Sequence, residues 1–316
     1  MEQEIWYLIL NPQAGGGKGA KLEKKIYQQM HIAGIDFEAF KTNYAGEAKT
    51  AAIQAIEAGY NKIVVAGGDG TLNEVINGVL SQNVKPSEEL LIAQIPIGTG
   101  NDWCKTWGIP KGIKESISLL RNPKSTLQDV ARITFQNAGV ENSKWFLNIA
   151  GCGFDAEITL AANQNKAKGQ SGFFTYIFQL IKTLKKYKEP RMKFEIDSEK
   201  FEDDIFAILA GVCRYAGNSM LLVPNADPRD GFFHLTIAKK IKRTKVIRNL
   251  HRLFNGSFVN LEEVSVHECK RLQINTAGLP IQADGESIGE TPAMFEIFEK
   301  KLHVVIHTNY VFKKSN

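Results

Sequence analysis

The fold is decided by the stretch IVVAGGDGTLNE, residues 63–74. Its first four residues are apolar and predict a buried strand, and the three glycines around Asp69 let backbone N–H groups approach an anion closely. A helical pattern begins at Thr71, which we expect to cap a helix whose positive end faces that anion. A carboxylate in such a turn repels phosphate unless a divalent cation lies between them. The stretch therefore predicts a site for a Mg²⁺-bound nucleotide, with a simple tight turn as the alternative.

Two further glycine-rich turns follow apolar strands. The first is NPQAGGGKG, residues 11–19, which lacks the Walker A spacing and matches a loose GxGxxA pattern from Gly15. That match keeps a dinucleotide-binding fold as an alternative. The second is IPIGTGND, residues 95–102, which supplies the Thr99 hydroxyl and the Asp102 carboxylate. Because turns of this kind emerge at the carboxyl edge of a parallel sheet, we expect all three to converge on one ligand.

Short strands and helices alternate over the first 120 residues, whereas strand-like runs predominate after about residue 127. The predicted strands are 5–10, 36–41, 62–66 and 90–97, and the predicted helices are 19–33, 46–58 and 71–80. Strand-like runs follow at 130–135, 145–150, 192–196, 205–212, 232–238, 271–275 and 302–307. This order predicts an α/β protein with an N-terminal three-layer domain around a parallel sheet and a C-terminal antiparallel β-rich domain. We assign residues 1–126 and 127–299 to the two domains, with residues from about 300 to 316 as candidates to pack back onto the first.

Composition and charge limit the possible functions. Of the 316 residues 43% are hydrophobic and 23% charged, which excludes a disordered chain. No apolar run approaches the roughly 20 residues that cross a bilayer, and no signal peptide is visible, so a cytoplasmic protein is expected. The 4 cysteines show no zinc or disulfide spacing and are expected to be buried free thiols.

Positive charge is concentrated in the middle of the chain. Residues 161–260 hold 18 of the 39 Lys and Arg residues but 9 of the 34 Asp and Glu residues. Two stretches, 172–188 and 239–252, predict basic helices, the first rich in aromatic residues. Such a helix can lie on an anionic leaflet, whereas the alternative is a core-packed helix with solvated lysines. No nucleic-acid motif is present, so nucleic acid is not an expected partner.

The three glycine-rich turns, at residues 11–19, 63–74 and 95–102, resemble those of the diacylglycerol kinase catalytic-domain family, soluble bacterial-type lipid kinases related to sphingosine kinases. The Gly-Gly-Asp-Gly core is shared with NAD kinases and phosphofructokinases, whereas the Gly-Thr-Gly-Asn-Asp turn at 98–102 favours the lipid branch. The resemblance spans nearly the whole chain and implies an NAD kinase/diacylglycerol kinase-like fold with ATP and Mg²⁺ as cofactors. One departure is Ala14, which stands where the family usually has Ser, so that one hydroxyl contact to phosphate is lost.

The resemblance also implies roles for individual residues. Nucleotide contacts are implied for Asn11, Gly15, Gly16, Thr42, Gly67, Gly68, Asp69, Gly70, Thr71, Leu72, Asn73, Thr99 and Asp102. Catalytic roles are implied for Asp69, Asp284 and Glu286, and a water-mediated network around the nucleotide Mg²⁺ for Asp69, Asp102 and Asp129. A structural Mg²⁺ site is implied at residues 227–232, with the Asp230 carboxylate and the main-chain oxygens of Asp227 and Phe232; from spacing alone this is a turn before a strand. Asp284-Gly285-Glu286 matches the motif of the general base, for which Asp284 is slightly preferred although either carboxylate can serve.

The expected function is therefore ATP-dependent phosphorylation of a lipid hydroxyl, first of all diacylglycerol, giving phosphatidic acid. The enzyme would associate peripherally with an anionic membrane surface, and a homodimer is compatible with the sequence. Phosphatidylglycerol, a sphingoid base and an undecaprenyl-type alcohol stay open as acceptors, because pocket shape decides between them. The alternatives are an NAD kinase-like enzyme that phosphorylates a soluble nucleotide and a non-catalytic lipid- or nucleotide-binding module.

Overall fold

The structure, a computed structural model, describes residues 3–137, 139–167 and 173–311. The chain forms two compact units. The first contains the residues up to Val130 together with the segment that begins at Glu299, and the second contains Ala131–Phe298. The sequence placed the domain boundary after residue 126.

The first unit alternates strands and helices. Its elements are β1 (Gln3–Leu10), α1 (Ala14–Ile32), β2 (Phe37–Lys41), α2 (Glu47–Glu57), β3 (Tyr60–Gly67), α3 (Asp69–Ser81), β4 (Leu91–Pro96), α4 (Asp102–Thr106) and α5 (Ile113–Ser118). β1 pairs in parallel with β2 and with β3, and β3 pairs in parallel with β4. The four predicted strands and three predicted helices of this region are present, with ends shifted by a few residues.

The sheet of the first unit is covered on both faces. Leu8, Ile9 and Leu10 have no exposed surface although successive side chains of a strand point to opposite faces. α2 and α3 pack together against β3, and α1 and α5 pack together against β3 and β4. Gly78 brings α3 close to α2, because a Cβ atom there would lie 2.5 Å from the Lys49 carbonyl oxygen. Burial on both faces explains why these strands are continuous apolar runs.

The remaining elements belong mostly to the second unit. They are β5 (Lys124–Asn137), β6 (Val140–Phe146), β7 (Ile149–Gly153), α6 (Phe154–Ala167), α7 (Phe173–Lys186), β8 (Arg191–Ile196), β9 (Glu199–Gly211), β10 (Tyr215–Ala216), β11 (Met220–Leu221), β12 (Phe233–Lys239), α8 (Arg243–Arg248), β13 (Val264–Cys269), β14 (Arg271–Ile274), β15 (Pro280–Ala283) and β16 (Glu286–Ile306). The last residues of β16 return to the first unit, where His303 and Val304 pair in parallel with Leu91 and Ile92 of β4.

Antiparallel pairing builds the second unit. β9 pairs with β7, β8 and β12, and β15 pairs with β7 and β16. Its core contains Phe146, whose ring stacks on Phe233 at 6.0 Å and meets Phe295 edge-on at 6.4 Å. The protein is thus a mixed α/β protein with a β-rich second part, as the sequence predicts.

Two sequence expectations for this unit were wrong. The single strand predicted at 145–150 is divided between β6 and β7, because the chain turns at Leu147 and Asn148. The single basic helix predicted at 239–252 is the end of β12, the short helix α8 and a 3₁₀ turn at Leu250–Leu253. Both errors arise because each stretch has nearly the same residue composition before and after the point where the chain changes direction.

α7 corresponds to the first predicted basic helix. Leu180 and Leu184 are buried in an apolar cluster, whereas the lysines at 182, 185, 186 and 188 are exposed. Residues 168–172 and the side chains of 164–177 and 179, which include those of Phe173, Phe174 and Tyr176, lie outside the described part of the chain. No helix in the described part of the chain is long and apolar enough to cross a membrane. All four cysteines are buried free thiols, which confirms the prediction.

Candidate active site

The three glycine-rich turns of the first unit meet at the ends of β1, β3 and β4. A Cβ atom on Gly98 would lie 2.6 Å from the Cα atom of Gly68, and one on Gly15 would lie 2.4 Å from the Ile97 carbonyl oxygen. No side chain fits at these contacts, so glycine is required for the turns to approach one another. The structure therefore brings together the turns that the sequence assigned to one ligand.

Asp69 fixes the second turn to the third. It is the first residue of α3, and its carboxylate accepts hydrogen bonds from the backbone N–H groups of Asp102 and Trp103 at 3.1 and 3.2 Å. These N–H groups begin α4 and have no partner within that helix, so the carboxylate acts as its cap. A side chain from another helix thus does what an N-cap residue does in most helices.

Asp69 and Asp102 also present two carboxylates to the same small volume. A Cβ atom on Gly100 would lie 3.3 Å from Asp69 Oδ2 and 3.2 Å from Asp102 Oδ2. Burial and, secondarily, the negative charges of Asp69 and Asp102 raise the pKa of the Cys104 thiol well above its usual value. Two acidic groups beside one glycine form a site that attracts a cation.

The sequence predicts that Thr71 caps α3, but the structure shows that it does not. The residue before α3 is Gly68, which has no side chain that could cap the helix. Thr71 is buried in the first turn of α3. Its hydroxyl oxygen accepts a hydrogen bond from the Asn11 side-chain amide at 2.9 Å, and its side chain fills the space where a Cβ atom of Gly67 would lie. Thr71 therefore ties the first turn to the second.

The other predicted nucleotide contacts lie on the same turns, except for Thr42 after β2. Gly70, Leu72 and Asn73 lie in the first turns of α3, and Thr99 lies between β4 and α4. Gly16 has a left-handed φ of 71° at the start of α1. Thr42 follows β2, and its backbone N–H donates a hydrogen bond to the Leu10 carbonyl. Asp129 is fully buried, and its Oδ1 accepts a hydrogen bond from the Lys300 N–H at 2.7 Å.

Sequence reasoning missed two polar residues beneath the turns, Gln94 and Gln128, and gave no structural role to Asn101 of the third turn. The Gln94 side chain donates to the Gly67 carbonyl at 3.1 Å, and Gln128 Oε1 accepts hydrogen bonds from the indole N–H groups of Trp103 and Trp107. Asn101 holds the third turn by donating to the Gly98 carbonyl at 2.8 Å. The available signal was a single amide inside an apolar strand, as at Gln94 in LIAQIP.

The residues of the first unit suit a nucleotide-bound cation better than a cation held by protein alone. No group of three His, Cys, Asp or Glu side chains in the described ranges is arranged to hold a metal ion. Mg²⁺ is commonly bound by one or two carboxylates together with phosphate oxygens and water. Asp69 and Asp102 provide such a pair, so the donor set fits Mg²⁺ that arrives with a nucleotide.

The turn at residues 227–232 precedes β12. The Asp230 carboxylate accepts a hydrogen bond from the Phe232 N–H at 3.1 Å and lies 2.8 Å from His234 Nε2. The Asp227 carboxylate pairs with Arg229, and its carbonyl oxygen accepts the N–H groups of Arg229 and Asp230. These bonds make a stable turn and leave acceptor capacity on the oxygens, so the structural Mg²⁺ site stays a prediction.

Asp284 lies in a tight turn of the second unit. Its φ is +49° and that of Gly285 is +80°, and the turn joins β15 to β16. The Asp284 carboxylate accepts hydrogen bonds from the N–H groups of Leu147 and Asn148, both at 2.9 Å. The turn between β6 and β7, which the sequence did not predict, therefore orients this carboxylate. Glu286, at the other end of the motif, forms an ion pair with Lys144.

Comparison with known proteins agrees with this arrangement. The family model of the diacylglycerol kinase catalytic domain matches residues 5–133, and that of the YegS C-terminal NAD kinase beta sandwich-like domain matches residues 148–306. Together these matches extend over both units. The chain belongs to the diacylglycerol kinase family of lipid kinases.

Individual relatives are similar over nearly their whole length. A diacylglycerol kinase of Staphylococcus carnosus (strain TM300) is 28% identical over 302 residues, which cover 95% of this chain and 94% of the relative. A diacylglycerol kinase of Bacillus subtilis (strain 168) is 29% identical over 300 residues, covering 95% of each chain. A solved structure of a diacylglycerol kinase from Bacillus anthracis str. Sterne has a TM-score of 0.73, covers 98% of both chains and is 23% identical, which supports the fold.

Proposed function

We propose that the protein transfers the γ-phosphoryl group of Mg²⁺-bound ATP to the hydroxyl group of diacylglycerol, giving phosphatidic acid. The observation that carries this proposal is the meeting of the Gly68 and Gly98 backbones beside Asp69. Phosphoryl transfer depends mainly on positioning and on compensation of charge, and this site offers both backbone amides and acidic groups. Relatives named diacylglycerol kinase support the choice of acceptor.

The nucleotide would be bound by the turns of the first unit. The backbone N–H groups near Gly15, Gly68 and Gly98 would contact phosphate oxygens, since no side chain blocks their approach. Asp69 and Asp102 would hold Mg²⁺, which compensates the charge of the β- and γ-phosphates when bound. Asp129, whose carboxylate is buried, would act on this site through water.

Asp284 would accept the proton of the attacking lipid hydroxyl. As that oxygen forms its bond to the γ-phosphorus, the bond between the γ-phosphorus and the bridging oxygen breaks, and ADP leaves with that electron pair. The two N–H groups that orient Asp284 leave a carboxylate with further acceptor capacity. Glu286 is the weaker candidate because its carboxylate already pairs with Lys144.

The second unit contains an apolar cavity that suits a segment of an acyl chain. Its volume is about 130 Å³, and its walls include Phe154, Leu180, Phe206, Leu250 and Phe258. Burial of apolar surface favours a lipid by about 25 cal/mol per Å². We further propose that the exposed lysines at 182, 185, 186 and 188 bring this unit to an anionic leaflet, where each basic residue contributes about 1 kcal/mol.

The proposal is tested by an assay with labelled ATP and Mg²⁺ against diacylglycerol, phosphatidylglycerol, a sphingoid base and undecaprenol in detergent micelles, with NAD as a soluble acceptor. We expect transfer to diacylglycerol, and its loss in Asp69→Ala but not in Glu57→Ala, a control at an exposed position of α2. Product from NAD alone would contradict the proposal and favour the soluble-nucleotide alternative. ATP bound without turnover on any acceptor would favour a binding module.

A further inference from the structure

The turn that carries Asp284 contacts the side chain of Gln282, a buried residue of β15. Gln282 Oε1 accepts a hydrogen bond from the backbone N–H of Gly285 at 3.1 Å. Asp284 and Gly285 both have a positive φ, as do the two central residues of a type I′ hairpin turn. Because Gly285 by itself tolerates φ of either sign, this bond restrains the peptide group that joins it to Asp284.

The amide group of Gln282 has one orientation that satisfies its neighbours. The Gly285 N–H can only donate, so the amide oxygen is assigned to face it. The amide nitrogen then points at Asp155 Oδ2, which accepts its hydrogen bond at 3.0 Å. The Asp284 N–H donates to the Ile149 carbonyl at 3.0 Å beside this amide, which lies 3.5 Å from the same carbonyl oxygen. Asp155 thus fixes the rotamer in which Gln282 reaches the turn.

A glycine leaves room for the contact between Asp155 and Gln282. Gln282 is paired with Gly151 of β7, so these two positions project to the same face of the sheet. A Cβ atom on Gly151 would lie 2.8 Å from Asp155 Oδ2 and 2.4 Å from the Ile208 carbonyl oxygen. The Asp155 carboxyl group, in the first turn of α6, therefore occupies space that a side chain at position 151 would take.

Two sets of contacts fix Asp284. The N–H groups of Leu147 and Asn148 orient its carboxylate, and Gln282 restrains the peptide group that follows it. A general base must lie within hydrogen-bond reach of the proton that it accepts, so a small displacement of the turn would slow proton transfer. Only 5% of Gln282 is exposed, so an effect of this residue on the reaction would pass through Asp284.

We propose that Gln282, held in place by Asp155, positions Asp284 for proton transfer by fixing the turn at Asp284 and Gly285. Gln282 is a positioning residue in this scheme, and Asp155 supports it from α6. The inference rests on the proposed function, in which Asp284 is the general base, and extends it to residues that contact neither ATP nor lipid.

The first test compares Gln282→Met with Thr291→Val. Methionine is close to glutamine in size but offers no donor and only a weak acceptor. Thr291→Val is the matched control, because the Thr291 hydroxyl oxygen accepts the Leu279 N–H at 3.0 Å at the other end of the same β15–β16 hairpin. We expect both variants to lower the Tm. Gln282→Met alone should lower kcat, by about 10- to 100-fold, with the KM values for ATP and diacylglycerol unchanged.

A double-variant cycle shows whether Gln282 acts through the base. Asp284→Asn already lacks the proton acceptor, so in that background Gln282→Met should cause at most about a twofold further loss of kcat. Rates are divided by the number of nucleotide sites that calorimetry detects, so that unfolded protein does not enter the comparison. Asp155→Leu should lower kcat as Gln282→Met does, and Asp155→Asn, which restores an acceptor for Gln282, should recover most of the loss.

Three outcomes would overturn the positioning role while the lipid kinase function stands. They are a kcat of Gln282→Met within about twofold of the unaltered enzyme, an equal loss of kcat in Thr291→Val, and the same fold loss from Gln282→Met whether residue 284 is Asp or Asn. Absence of phosphoryl transfer from ATP to any lipid by the unaltered enzyme would overturn the proposed function and this role with it.

Discussion

Asp69 Oδ1 accepts a hydrogen bond from the Trp103 backbone N–H at 3.2 Å, across 34 positions of sequence. The neighbouring oxygen accepts the Asp102 N–H at 3.1 Å, so one carboxylate caps α4 and also faces the proposed cation site. Such hydrogen bonds to an ionised acceptor contribute about 1.5–3 kcal/mol to stability. Asp69 thus has a structural role and a proposed catalytic role, and an experiment must separate them.

Asp69→Asn and Asp102→Asn separate these roles. An asparagine at 69 can accept one of the two N–H groups but turns its own NH₂ toward the other, so we expect the free energy of unfolding to fall by about 1–2 kcal/mol. Asp102→Asn leaves both bonds to Asp69 in place and should lower stability less. Both variants should raise the Mg²⁺ concentration needed for transfer. Urea unfolding and a Mg²⁺ titration of activity measure the two effects, and equal stability of Asp69→Asn and the unaltered protein would disprove the capping role.

Gly98→Ala should damage the site through sterics alone. The added Cβ atom would lie 2.6 Å from Gly68 Cα and 2.8 Å from Asn101 Oδ1, so the second and third turns must move apart. We expect a loss of nucleotide affinity of tenfold or more together with a lower Tm. Gly34→Ala is the control, because φ is +67° there and nothing lies within 4 Å, so it should cost about 1 kcal/mol of stability from backbone strain without weakening nucleotide binding. Nucleotide titration by calorimetry checks both, and unchanged affinity in Gly98→Ala would count against convergence of the turns.

The sequence predicts the turns of the first unit well because each signal is local. An apolar strand, a glycine-rich turn and a helical pattern follow one another within about fifteen residues, as around Asp69. The cap that Asp69 gives to α4 could not be predicted, because it depends on how two turns meet in space. For the same reason Thr71 was assigned to its own helix, whereas it bonds Asn11.

The second unit was less predictable for a related reason. The orientation of Asp284 depends on a change of chain direction at Leu147 and Asn148, and one asparagine within an otherwise apolar run is too weak a signal to predict that turn. Asp155 gives a single acidic residue after an apolar strand, a pattern typical of many helix starts. Only the contact with Gln282 distinguishes it from those.

Asp284→Asn and Glu286→Gln should differ strongly. If Asp284 is the general base, its replacement removes the proton acceptor and should lower kcat by a factor of about 10²–10⁴, while the affinity for nucleotide is retained. Glu286→Gln removes an ion pair with Lys144, and we expect at most a severalfold effect. Lys144→Met is the matched control, since it breaks the same pair from the other side. A larger loss of kcat in Glu286→Gln than in Asp284→Asn would reassign the base to Glu286.

The turn at residues 227–232 offers a metal test that does not involve turnover. If Asp230 binds Mg²⁺, the ion should raise the Tm of the nucleotide-free protein, because a ligand at about ten times its Kd stabilises the folded state by roughly 1.4 kcal/mol. Asp230→Asn should abolish that shift, whereas Asp102→Asn should preserve it. A Tm of the unaltered protein that does not respond to Mg²⁺ would mean that the bonds to Phe232 and His234 complete the turn without metal.

The buried carboxyl of Asp155 should make stability depend on pH in a definite direction. Its pKa rises from 3.8 in the unfolded chain to about 7 in the folded protein, so between these values the unfolded state loses the proton while the folded state keeps it. The folded state then binds more protons, and stability decreases as pH rises from about 4 to 7, after which the cost is constant. Asp155→Asn removes this cost, so relative to the unaltered protein it should gain stability on going from pH 4.5 to pH 8, on the order of a few kcal/mol at about 1.4 kcal/mol per pH unit. Urea unfolding at both pH values measures the difference, with Glu157→Gln on the same helix as the control for removal of an acidic group. A difference between the two proteins that is the same at pH 4.5 and pH 8 would show that folding does not raise the pKa of Asp155.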